Sequence, residues 1–186
     1  MTDTGLRIIQ EFLPAGADNR PGGSNPDTYI TIHETGNFAK GADAAAHAAY
    51  LRGSSAQAAP VSWHYTVDDH SIYQHLPDGE RAYHAGDGGS GPGNATSIGV
   101  EICVDAGGDF EQARANAASL VRLLMERHDI PLDRVVQHNR WNGKDCHSGH
   151  SRRLGGVSGP LRRPGVPGHG PGAGGRCGRA GGRRDH

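Results

Sequence analysis

The segment "DFEQARANAASLVRLLMERHDI" (109–130) places Phe110, Ala113, Ala117, Leu120 and Leu124 at the three- and four-residue spacing of a helix with one buried stripe. Such a helix needs an apolar surface to lie on, and short β-forming runs stand on either side of it. "SIGVEICV" (97–104) precedes it and "RVVQH" (134–138) follows. "TYITIHE" (28–34) is a third run of this kind, and "SWHYTVD" (62–68) with "SIYQHLP" (71–77) reads as a hairpin turning at Asp69 and His70. "GADAAAHAAYLRG" (41–53) reads as a short alanine-rich helix with glycine after its last turn. The glycines of "HAGDGGSGPGNATS" (84–97) predict a loop. Strands alternating with helices give an α/β single domain, with a central mixed β-sheet flanked by helices.

The period of two along each strand sorts the side chains into faces. Ile30 and Ile32 share one side of their strand, opposite Tyr29, Thr31 and His33. Ile98, Val100, Ile102 and Val104 share a face, leaving Gly99, Glu101 and Cys103 on the other. A carboxylate inside so apolar a strand is costly without a partner. Glu101 is therefore either an edge-strand salt-bridge residue or a general base.

Two of these runs end in histidines, His33 and His138, and Cys146 follows eight residues after the second. Two imidazoles and a thiolate suit Zn²⁺, and three protein ligands leave a fourth position open for chemistry. Among twelve histidines each of these has a structural alternative, so the triad is a candidate set only. Lys144, two residues before Cys146, is either a surface lysine of a turn or an ammonium aimed at an oxyanion near the metal.

"YITIHETGN", "SWHYTVDD", "YHAGDGGSGPGNATSIGVEICV" and "QHNRWNGKDC" occur in an order and spacing that resemble the zinc-dependent N-acetylmuramoyl-L-alanine amidases. This amidase type is shared by bacteriophage lysins, autolysins and peptidoglycan recognition proteins, and the resemblance runs from about residue 6 to Cys146. It implies a zinc site at strand ends in a surface groove, with His33, His138 and Cys146 as ligands. It implies Glu101 as the catalytic carboxylate and Lys144 as the residue steadying the scissile carbonyl, and it places His64 and His84 along the substrate groove. The reaction implied is hydrolysis of the amide between N-acetylmuramic acid and the L-alanine of the peptidoglycan stem peptide. Recognition proteins of this type that only bind lack the cysteine, so Cys146 favours the catalytic branch.

The chain changes character after Cys146. Residues 147–186 hold 13 Gly, 8 Arg, 4 Pro and 4 His with one acidic residue, a net charge of +7. Residues 1–146 hold 11 Lys/Arg against 19 Asp/Glu, a net charge of −8. A segment so poor in apolar residues cannot build a core, and a disordered C-terminal tail is expected. One base restored ahead of the His147 codon would turn that codon into proline and the next into leucine or phenylalanine, the kind of run with which family members continue. Residues 1–146 are therefore expected to be the amidase domain and 147–186 a frameshift product. The competing reading is a natural basic tail for anionic polymers.

The start "MTDTGLRIIQEFLPAG" has no apolar run long enough for a signal peptide or membrane span. Synthesis in the cytoplasm is expected, with action on the cell wall after release or holin-type export. The three cysteines are too widely spaced to suggest a disulfide framework. A monomer is expected, with peptidoglycan as partner and no nucleic acid. Two alternatives from other classes are a peptidoglycan-binding module without turnover and a nucleic-acid binder resting on the arginines of the tail.

Overall fold

The computed structural model describes residues 5–144 and residue 146; the expected tail, 147–186, lies outside the described residues. The strands are β1 (Ile8–Gln10), β2 (Tyr29–Glu34), β3 (Tyr65–Val67), β4 (Ile72–Gln74), β5 (Ser97–Ile102) and β6 (Val135–Gln137). They form one sheet in the order β1-β4-β3-β5-β2-β6. Only the β3–β4 hairpin is antiparallel, so the expected mixed sheet is present. The helices are α1 (Ala44–Arg52), α2 (Ser54–Ala58), α3 (Pro92–Thr96), α4 (Phe110–His128) and α5 (Asn139–Asn142).

Helix α4 behaves as its spacing predicts. Ala113, Ala117, Leu120 and Leu124 are buried, and they join Ile30, Ile98, Val100, Tyr65 and Val67 in the main core. Asp109 opens the helix by accepting a hydrogen bond from Gln112 N at 3.1 Å, satisfying an amide that the first turn leaves unpaired. Asp129 closes it in the left-handed region at φ 53°. Because α4 takes the face carrying Ile98 and Val100, the opposite face of β2 and β5 is left to Thr31, His33, Gly99 and Glu101. A second core of Leu13, Leu51, Ala56, Trp63 and Leu76 anchors α1 and α2.

The stretch 84–97 departs from the expected loop in its last third, where α3 forms a short helix. Pro92 sits at its first position, where a missing N–H costs nothing, and Gly91 provides the extended residue before it. The three-residue strand β1 and helices α2 and α5 are likewise additions to the expected elements.

Candidate active site

The parallel register of β2 with β6 pairs Ile32 with Gln137, which brings the next residue of each strand, His33 and His138, to the same level. His33 Nδ1 lies 3.0 Å from His138 Nδ1 and 3.7 Å from Cys146 Sγ. A tetrahedral zinc ion, with bonds of about 2.0–2.1 Å to nitrogen and 2.3 Å to sulfur, would hold such atoms roughly 3.3–3.6 Å apart. The observed separations of 3.0 and 3.7 Å lie within about 0.3 Å of those values, and a set of two imidazoles and a thiolate suits the ion's softness. Both histidines are buried, at 2% and 5% exposure, so the donors are fixed before any ion arrives.

Local structure explains the spacing from His138 to Cys146. His138 is the residue before α5, which completes a single turn over Asn139–Asn142. Gly143, at φ 77°, takes the left-handed conformation that a side chain disfavours, and it turns the chain back toward the ligands. Trp141 pins this turn: its Nε1 donates to Thr31 Oγ1 at 2.9 Å, and its ring leaves no room for a side chain at Gly93. Burial raises the Cys146 thiol pKa, with a backbone hydrogen bond from Glu34 opposing it. A bound cation would reverse that balance by favouring the thiolate.

Glu101 pairs with His33 in the β2–β5 register and leaves the sheet on the same face. Burial pushes its carboxyl up to about 8, the Lys144 ammonium pulling it back and Glu34 pushing it further. Its Oε2 is buried without a hydrogen-bond partner among the described residues. Lys144 itself is exposed, two residues from Cys146. Glu101 also forms part of the wall of a cleft of about 330 Å³, together with Thr35, Asn37, His47, Tyr50, Val61 and Trp63. Tyr50 and Trp63 are near parallel there, with ring centroids 6.4 Å apart and planes at 21°.

His64 and His84, expected along the substrate groove, are both buried in the structure. The His64 ring is fully buried, its Nδ1 accepting from Gly99 N at 2.9 Å and its Nε2 2.8 Å from the Glu80 carbonyl. Both nitrogens are committed to the backbone, so no polar atom of that ring is left for a ligand. His84 is 7% exposed and its Nδ1 lies 3.0 Å from His33 Nε2. Burial pushes its pKa down to about 3, helped by His64. The cleft residues His47, Tyr50 and Trp63 were not singled out by the sequence. The one signal for them was the i, i+3 pair of His47 and Tyr50 on an otherwise alanine-rich helix.

A second group of possible ligands, Asp68, Asp69 and His70, sits in the β3–β4 turn. Asp68 is occupied there, accepting from Ala44 N, His70 N and Ser71 N, so the turn itself accounts for it.

The model of the N-acetylmuramoyl-L-alanine amidase family Amidase_2 matches residues 23–149. The chain belongs to that family. It is 55% identical over 141 residues to the N-acetylmuramoyl-L-alanine amidase XlyA of Bacillus subtilis (strain 168), covering 76% of this chain and 46% of XlyA. To the amidase CwlH of the same strain it is 52% identical over 141 residues, covering 76% of this chain and 55% of CwlH. The chain thus spans about half the length of these relatives. The solved catalytic domain of XlyA superposes with a TM-score of 0.73 at 53% identity, over 80% of this chain and 92% of that one. What matches is therefore the amidase domain, and the family members' fold is the mixed sheet described above.

Proposed function

We propose that this chain is a zinc-dependent N-acetylmuramoyl-L-alanine amidase that cleaves the amide between N-acetylmuramic acid and the L-alanine of the peptidoglycan stem peptide. The observation that carries the reading is the convergence of His33 Nδ1, His138 Nδ1 and Cys146 Sγ on one point, beside a carboxylate in register. Zinc held by these three residues would supply an acidified water and a Lewis acid for a carbonyl oxygen.

The chain's own residues then divide the remaining work. Glu101 takes the proton of the attacking water and returns it to the departing alanine amine. Burial raises the Glu101 pKa and so strengthens it as a proton acceptor, while Lys144 and a cation held by the neighbouring ligands would favour its ionised form. Lys144 offers its ammonium to the carbonyl oxygen as negative charge gathers there. The cleft walled by Tyr50, Trp63 and His47 holds the substrate against Glu101, with the near-parallel aromatic rings giving an apolar shelf. His64 and His84, both buried, act as parts of the frame.

Among the described residues no helix is long and apolar enough to cross a membrane. Action on the wall after release from the cell, as a monomer, is part of the same proposal. The alternative, a wall-binding module without turnover, lacks support from the donor set, since binding alone needs no thiolate beside two imidazoles.

The test is metal analysis joined to a digestion assay. One zinc per chain and release of free stem peptides with an L-alanine amino terminus from purified peptidoglycan are expected. Retained muropeptide binding with neither zinc nor cleavage would move the chain to the binding alternative.

A further inference from the structure

The His33 ring uses both of its nitrogens. Nδ1 faces His138 and Cys146, and Nε2 lies 3.0 Å from His84 Nδ1, with the two rings edge to face at 89°. A neutral imidazole carries one proton, and a nitrogen that binds a metal must be the unprotonated one. If Nδ1 is the ligand atom, the proton sits on Nε2 and His84 Nδ1 must accept it. His84 then carries its own proton on Nε2, which faces the Ser97 carbonyl and Ser97 Oγ at 3.4 Å each. The chain of tautomers closes without an unmatched proton.

The position of His84 is itself built. Its backbone N–H and that of Ala85 both donate to Asn94 Oδ1, at 2.8 Å and 2.7 Å, clamping the two residues as a unit. Ring atoms of His84 stand 2.8 Å from where a Cβ on Gly99 would be, so a bare strand position is the seat of the ring. A glycine inside an apolar strand often marks such a close approach.

We propose that His84 is a positioning residue, holding the tautomer and the plane of His33 so that Nδ1 is offered to the metal. This rests on the zinc-site reading above. Outer partners of metal-bound histidines typically contribute about 10–100-fold in metal affinity.

The experiment measures zinc affinity of the full chain by chelator competition, beside melting curves and the visible spectrum of the cobalt-loaded protein. His84→Leu should bind zinc about 10–100-fold more weakly. His84→Asn, whose side-chain carbonyl falls near the position of Nδ1, should recover most of the loss, whereas His84→Gln should recover less. Gly99→Ala, which pushes the ring away without removing it, should weaken zinc binding and alter the cobalt spectrum. If His84→Leu does not fold, the Asn and Gln variants decide between them by the order of their affinities. Wild-type affinity in His84→Leu, or equal losses in the Asn and Gln variants, would overturn the proposal and leave the zinc site standing. A wild-type chain that takes up no zinc would overturn both.

Discussion

His33 and Glu101 are register partners on the adjacent parallel strands β2 and β5, so a metal-ligand candidate and a carboxylate leave the sheet side by side. Neither depends on a loop for its placement. Replacing Glu101 with glutamine keeps the shape and removes the proton acceptor. Glu101→Gln should lower kcat by about 10²–10⁴-fold while zinc content is unchanged. Metal analysis and a peptidoglycan digestion rate check both halves, and a parental rate would make Glu101 a structural carboxylate.

Lys144 differs from Glu101 in being exposed and borne on the turn after Gly143. Its proposed work is confined to the moment when charge develops on the carbonyl oxygen. Lys144→Ala should therefore lower kcat by about 10²–10³-fold with a smaller change in KM. The opposite pattern in steady-state kinetics would recast it as a substrate-binding residue.

Cys146 is the proposed sulfur ligand beside His33 and His138. A serine there replaces a soft anionic ligand with a neutral hydroxyl. Cys146→Ser should lose most of its zinc on dialysis against a weak chelator, without unfolding. Full retention of zinc would remove Cys146 from the site.

Much of this was legible because it is written in local terms. The stripe of α4 and the alternation in β2 and β5 each need only neighbouring residues to be recognised, whereas His33, His138 and Cys146 come from separate segments and were named as ligands through the family resemblance. What was not legible depends on where distant segments meet. The strand β1 is three residues long and is defined only by pairing with Ile72–Gln74. The burial of His64 and His84 follows from the packing of 84–97 against β5, which glycine content alone does not reveal. The cleft beside Glu101 draws on α1, the segment before β3 and the loop after β2, and no single window of sequence contains it.

His75 should make the fold sensitive to acid. Its ring is fully buried, with Nε2 2.8 Å from Thr66 Oγ1 and Nδ1 without a hydrogen-bond partner among the described residues. Burial pushes its pKa down from 6.5 to about 3, with His47, Arg52 and His64 adding to the shift. A base depressed in the folded state binds its proton more readily when unfolded, so its contribution is complete above 6.5 and is lost as pH falls toward about 3. Between pH 7.5 and pH 5 this amounts to about 2 kcal/mol of stability. His75→Gln should flatten the acid limb of a urea-unfolding series by that amount, and an unchanged limb would show that His75 is not the group responsible.

The proposed end of the amidase domain near Cys146 yields a prediction about the sequence beyond it. The family match stops at residue 149, three residues after the last ligand candidate. If residues 147–186 are read from a shifted frame, they hold nothing that the domain was selected to pack. A chain cut after Gly149 should then keep its zinc affinity, its digestion rate and its melting temperature. A chain with one base restored ahead of His147 should gain the proline and the apolar side chain that the family places there. A single buried leucine of this kind contributes about 2–5 kcal/mol, so that version should melt higher by roughly 5 °C or more. Loss of zinc or of stability on truncation, with no gain from the restored frame, would instead make the basic tail an authentic part of the folded protein.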